Sequence, residues 1–131
     1  MLDLIIKNGE CYIDRKLTKT DIGIQNGKIS TIGDLNNEQS TETVDASNLL
    51  VLPGCMDTQV HFREPGSTNA EDLHTGSKAA IAGGITSVFE MPNTNPPTAN
   101  MKEFNNKLNI AKNRMYSNLS LIHISEPTRP Y

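Results

Sequence analysis

After Pro53-Gly54 the elements follow one order: strand, loop, helix, strand, loop, helix. That order restricts the fold more than any other feature of the chain. Residues 56–62 read as a strand and Glu64-Pro65-Gly66-Ser67 as a loop. Thr68-x-x-Glu71 has the form of a capping box, in which hydroxyl and carboxylate satisfy free N–H groups at a helix start. The helix it opens would carry Leu73, Ser77, Ala80 and Ile81 on one face and stop at Gly83-Gly84, where glycine takes the left-handed cap. Residues 85–91 are β-branched and strand-like, and residues 92–97 form a Pro-rich extended loop. A second helix is expected from about Thr98, with Met101, Phe104, Leu108, Ala111 and Met115 near helical spacing. Lys102, Lys107 and Lys112 read as its solvated face. Such a series implies parallel strands with right-handed crossovers, covered on both faces. Two strands close no sheet, and a (β/α)8 barrel takes roughly 250 residues. The chain of 131 residues is therefore expected to be truncated.

Residues 1–52 have a different texture. Residues 2–7 are β-rich and end at Asn8-Gly9, a strong signal for a tight hairpin turn because both residues accept positive φ. Residues 10–14 would return as the partner strand. The pattern recurs in residues 20–25, Asn26-Gly27 and residues 28–32. Residues 36–43 are polar and loop-like, and residues 44–46 and 49–52 allow two more short strands. Together these predict a small antiparallel β module.

Twelve basic against fifteen acidic residues, a net charge of −3, exclude a strongly basic nucleic-acid binder. No window approaches the roughly 18 apolar residues of a membrane span. Residues 1–7 are too short and too acidic for a signal peptide, which points to the cytoplasm. Cys11 and Cys55 lie far apart without a CxxC pattern and read as reduced packing residues. A hydrophobic fraction of 36% with no Trp argues against a full core built by this chain alone.

The strand Asp57-Thr58-Gln59-Val60-His61-Phe62-Arg63 carries the chemistry. By alternation Asp57, Gln59, His61 and Arg63 share one face, and Met56, Thr58, Val60 and Phe62 the other. A strand buried on both faces should be nearly all apolar, and burying such polar groups without partners costs several kcal/mol each. This face therefore either lines a solvated site or belongs to an edge strand with one wet side. In the first case His61, near the strand end, offers an imidazole nitrogen to a metal. Arg63, one step further, can grip a carboxylate through two parallel N–H bonds. His74, on the first helix, reads as a surface histidine, and Glu90, closing the second strand, as structural.

The run Pro53-Gly54-Cys55-Met56-Asp57-Thr58-Gln59-Val60-His61-Phe62-Arg63-Glu64-Pro65-Gly66 resembles the signature of the dihydroorotases of the cyclic amidohydrolase superfamily. Glu90-Met91-Pro92-Asn93-Thr94-Asn95-Pro96 is similar to their second signature, and Glu71-Asp72-Leu73, residues 76–80 and Gly83-Gly84-Ile85-Thr86 fit the same pattern. The resemblance covers residues 1 to about 118. It favours dihydroorotases over hydantoinases, with allantoinases the nearer competitor.

The resemblance implies an α/β fold. Residues 1–52 would be part of a β-sandwich and residues 53–118 the start of a (β/α)8 barrel of the metal-dependent hydrolases. It implies the reversible hydrolysis of L-dihydroorotate to N-carbamoyl-L-aspartate, a step of pyrimidine synthesis, with zinc as cofactor. By motif position His61 would be a metal ligand, Arg63 and Asn93 would bind the substrate carboxylate, and Asp57 would support the ligand strand through hydrogen bonds. A homo-oligomer and aspartate carbamoyltransferase are the implied partners.

The sequence departs from the family pattern at Gln59, which stands where the usual His-x-His motif has its first histidine. An amide oxygen is a weaker and harder donor than imidazole. The remaining ligands and a catalytic Asp of the family lie on later strands, so the chain alone is expected to be inactive. A non-catalytic homologue that serves as a structural partner of aspartate carbamoyltransferase is the second reading. Residues 119–131 resemble a translated sequencing adapter and read as foreign, which sets His123 aside. The alternative is a natural third strand from Leu119 to Ile124.

Overall fold

In the computed structural model, which describes residues 1–122, the chain divides after Pro53 into two units. The first holds β1 (Leu2–Ile13), β2 (Lys16–Gln25), β3 (Lys28–Gly33), β4 (Ser40–Asp45) and β5 (Leu50–Val51) in one sheet of order β3-β2-β1-β4, with β5 also on β1. Asn26-Gly27 makes the expected turn between β2 and β3, with φ of 53° and 70°.

Asn8-Gly9 does not make a turn. β1 runs straight through it, and the register with β2 shifts between Ile6 and Gly9. Asn8 keeps its left-handed φ of 63°, but the conformation serves a bulge. Its N–H donates to Asp21 Oδ1 (2.9 Å) and its side-chain amide to Asp45 Oδ1 (3.0 Å). The reversal falls instead at Asp14-Arg15, with φ of 49° and 66°, a pair that carries no glycine to announce it. The antiparallel expectation holds for β1, β2 and β3, whereas β4 and β5 pair parallel with β1. Ile5, Cys11, Ile22, Leu35 and Ala46 form the buried apolar residues of this unit. Cys11 packs as expected, and burial pushes its thiol pKa up.

The second unit holds β6 (Cys55–Val60), α1 (Leu73–Ala82), β7 (Ile85–Glu90), α2 (Met101–Ala111) and β8 (Asn118–Leu121). β6, β7 and β8 pair parallel in that order, so the β-α-β-α reading holds. Phe62, Leu73, Val88 and Ala111 are its buried core, with Val60, Ala80, Ile85, Ile110, Met115 and Leu119 packed against them. β8 stands where a third strand was due. The rest of the segment read as foreign, residues 123–131 with His123, lies outside the described residues.

Four local readings are corrected. Helix α1 starts later than the Thr68 box implied: Asp72 is the N-cap, and its carboxylate and Thr75 form the capping box, because residues 68–70 are spent in a turn. Ile81 on α1 and Met101 and Leu108 on α2 are exposed, since a short sheet covers less of each helix than its apolar stripe offers. Lys107, read as solvated, is 1% exposed; it lies three residues from Phe104 and four from Ala111, on the face turned to the sheet. Cys55 is exposed rather than packed.

The bonds from the Thr75 N–H and hydroxyl hold the Asp72 carboxyl below its ordinary value of 3.8. A depressed pKa adds stability that is present above that value and lost as pH falls through the lower, folded-state pKa. The stability difference between the native chain and Asp72→Asn, read from urea unfolding, is therefore expected to be largest at neutral pH and to shrink below about pH 4.

Candidate functional site

Parallel pairing sets the C-terminal ends of β6 and β7 side by side. Met91 N donates to Val60 O (2.8 Å) just past the ends of both strands. The loops that follow, residues 61–72 and 91–100, meet along a short seam. His61 Nδ1 and Asn93 Oδ1 are 2.8 Å apart, and Asn95 N donates to Pro65 O (3.0 Å). Gly66 lies against Asn95 with φ of +120°, and a Cβ there would come within 3.0 Å of the Asn95 carbonyl oxygen; glycine is what the approach allows.

The His61–Asn93 contact fixes chemistry on both sides. An amide oxygen can only accept, so the imidazole donates from Nδ1, and in the neutral ring the lone pair is then on Nε2. The Asn93 NH2 group is left with its two donors for another acceptor. Arg63 follows two residues after His61 in the same loop. Its side chain is exposed, and among the described residues its guanidinium has no hydrogen bond or ion pair. Its neighbour Glu64 anchors the loop from behind, accepting from Leu73 N at the start of α1 (2.9 Å) and from Arg114 Nη1 (2.8 Å). That pairing raises the Arg114 pKa further. Ser67 N closes the turn on Arg63 O (2.8 Å).

The alternation expected from Asp57 through Arg63 holds from Gln59 onward, with Gln59, His61 and Arg63 exposed and Val60 and Phe62 turned inward, but the strand register breaks between Asp57 and Val60. Asp57 is in register with Val88 and Val60 with Glu90, so β6 spends one more residue than β7 over this stretch. The cause is local: Asp57 Oδ1 accepts from Gln59 N (2.9 Å), which draws that N–H toward its own chain. The strand then ends at Val60, and His61 and Arg63 belong to the loop. Asp57 thus bonds the backbone of Gln59, and the Gln59 side chain is exposed. Among the described residues, no group of three or more His, Cys, Asp or Glu side chains is placed to hold a metal ion. One imidazole and one amide fall short of the three or four donors that zinc takes, so these residues alone do not fit a zinc site.

Beneath the seam lies a feature the sequence reading missed. Glu90, the last residue of β7, and Lys107 of α2 are 0% and 1% exposed and form an ion pair. Lys107 Nζ also donates to Met91 O (3.3 Å) and Thr94 Oγ1 (3.5 Å). Glu90 Oε1 is buried without a hydrogen-bond partner among the described residues. Burial raises the Glu90 pKa and Lys107 opposes that rise. The helical spacing of Lys107 with Phe104 and Ala111 was the available signal. His74 is a surface histidine as read, tilted against Tyr116 with ring centroids 5.1 Å apart and an interplanar angle of 55°.

A model of the amidohydrolase family matches residues 50–118. The chain belongs to the amidohydrolase family. It is 45% identical over 115 residues, 87% of its length, to the dihydroorotase of Methanosarcina acetivorans, of which it covers 25%. It is 41% identical over 114 residues, 86% of its length, to the allantoinase of Salmonella choleraesuis, again covering 25%. Among solved structures, L-hydantoinase (dihydropyrimidinase) from Arthrobacter aurescens matches 98% of the chain and 29% of its own, at 31% identity and a TM-score of 0.90. The chain thus spans about a quarter of the length of the curated relatives it matches. The α/β expectation and the likeness to dihydroorotases both hold. No helix among the described residues is long and apolar enough to cross a membrane.

Removing one partner of a buried ion pair leaves an uncompensated charge, at a cost of about 3–5 kcal/mol. Lys107→Met is expected to lose stability of that order in urea unfolding. Glu90→Gln with Lys107→Met is expected to recover most of it.

Proposed function

We propose that this chain supplies the carboxylate-binding corner of a dihydroorotase-type cyclic amidohydrolase, acting in the reversible hydrolysis of L-dihydroorotate to N-carbamoyl-L-aspartate in the cytoplasm. The contact between His61 and Asn93 is the observation that carries the reading. It joins the two signature motifs and turns the Asn93 NH2 group free for a substrate. A guanidinium and an amide donor together suit a planar carboxylate, which accepts on both oxygens. In this reading Arg63 and Asn93 bind and orient the substrate carboxylate, and His61 holds Asn93 while presenting Nε2 as a ligand nitrogen. Gln59 would be a weak second donor, and Asp57 would support the ligand strand through the Gln59 backbone. Zinc is the metal the resemblance implies, and the described donors do not hold it.

The relatives support the reaction class, since dihydroorotases recur among them. Gln59 favours a second reading, a homologue without catalysis that serves as a structural partner of aspartate carbamoyltransferase. The allantoinase relatives favour a third, a different cyclic amide as substrate.

Exchanging the homologous segment of the Methanosarcina acetivorans dihydroorotase for residues 50–118 of this chain separates the three. The chimera carrying Gln59→His is expected to hydrolyse L-dihydroorotate in preference to allantoin or hydantoin. The chimera with the native Gln59 is expected to be slower and to bind zinc more weakly. Adding Arg63→Met should remove about 2–5 kcal/mol of transition-state binding, a loss of at least about thirtyfold in kcat/KM at 1.4 kcal/mol per decade. A preference for allantoin, or inactivity with histidine restored at 59, would sink the proposal.

For the 131-residue chain alone, calorimetric titration with zinc is expected to give no tight binding, and the dihydroorotate assay no turnover. Detectable hydrolysis by the purified chain would contradict this account of the ligand set.

A further inference from the structure

Stability does not explain the buried Glu90–Lys107 pair. Taking two charges out of water costs several kcal/mol per ion, and an apolar pair of similar volume is often as stable or more so. What the pair provides that an apolar pair cannot is a set of directed bonds. An ammonium has three donors, and Lys107 Nζ faces three acceptors: Glu90 Oε2, Met91 O and Thr94 Oγ1. The last two bracket Pro92 and Asn93. Glu90 holds the ammonium in place at the end of β7. Thr94 Oγ1 in turn donates to Pro96 O (3.0 Å), and Thr98 N to Pro92 O (2.9 Å), so the tether reaches through the rest of the loop.

We propose that the buried Glu90–Lys107 pair is a positioning device that holds both flanks of Asn93 and thereby keeps its amide oxygen on His61 Nδ1. Lys107 acts from α2 through the loop and touches neither Asn93 nor any substrate. It is a positioning residue, and it joins the helix after β7 to the seam between the two loops. What Asn93 is positioned for rests on the carboxylate-binding reading above; the positioning itself does not.

The test uses the whole 131-residue chain, labelled with 15N, at one fixed pH near neutrality. Two signals report the contact: the tautomer of the His61 imidazole, from two-bond 1H–15N correlations, and the side-chain amide pair of Asn93. In the native chain His61 is expected in the Nδ1–H form with one ordered Asn93 amide pair. Glu90→Gln with Lys107→Met removes both charges at similar volume. It is expected to leave the core signals of Leu73 and Val88 in place while His61 moves toward the Nε2–H tautomer and the Asn93 pair broadens. Thr94→Val removes one tether and leaves the ion pair intact; it is expected to move the same two signals part of the way. A folded double variant with unchanged His61 and Asn93 signals would overturn the proposal. If the double variant does not fold, Thr94→Val decides: partial movement supports the tether, and no movement overturns it. These readouts need no turnover, so an inactive chimera with the predicted tautomer shift would refute the proposed reaction and leave the positioning standing.

Discussion

Parallel pairing of β6 with β7 is the constraint on which the second unit depends. Because both strands run the same way, their C-terminal ends open on the same side, and each must be followed by a loop that leads into a helix. Residues far apart in sequence, such as His61 and Asn93, are then brought within one hydrogen bond. An antiparallel arrangement of the same strands would place the two motifs at opposite ends. In (β/α)8 barrels this side is where loops carry chemistry and the strands carry stability. The division is visible here in the apolar Val60, Phe62 and Val88 below and the polar His61, Arg63 and Asn93 above.

The seam between the loops is held at several points, each by different physics. Glycine at 66 permits close backbone approach. Glu64 ties the first loop to the start of α1 and to Arg114. The buried Glu90–Lys107 pair lies under the second loop. Glu64, Arg114, Glu90 and Lys107 are buried or half-buried, while Gln59, His61, Arg63 and Asn93 remain exposed. Rigid support beneath and open donors above is the arrangement a binding corner needs, because a donor already held in place loses less entropy when a ligand arrives.

Gln59 sets this chain apart from the pattern it otherwise follows. The residue sits where the local bond from its own N–H to Asp57 perturbs the strand register, and its side chain reaches solvent. In the proposed reading a ligand residue is replaced while the carboxylate-binding pair is kept, so metal affinity would weaken before substrate recognition. That is why metal affinity and substrate preference, rather than fold, separate the readings of this protein.

Sequence alone determined the element order of the second unit, the turn at Asn26-Gly27, the two motifs and the residues Phe62, Leu73 and Ala111 that face the core, because periodicity and turn chemistry are local properties. It did not determine that Asn8-Gly9 would be a bulge, since a left-handed Asn suits a turn or a bulge equally and only the partners Asp21 and Asp45 choose between them. It did not place the helix start at Asp72, because Thr68 offered an equally good local cap. The alternation from Asp57 to Arg63 holds from Gln59 onward, where Gln59, His61 and Arg63 are exposed and Val60 and Phe62 turn inward, and fails before it, where one side-chain bond accompanies a register shift. Lys107 was misread for a related reason: charge predicts exposure only where no buried partner waits, and Glu90 lies seventeen residues away on another element. Tertiary structure alone decided these points, since each depends on which distant group stands opposite, and a chain's own neighbourhood carries no record of that.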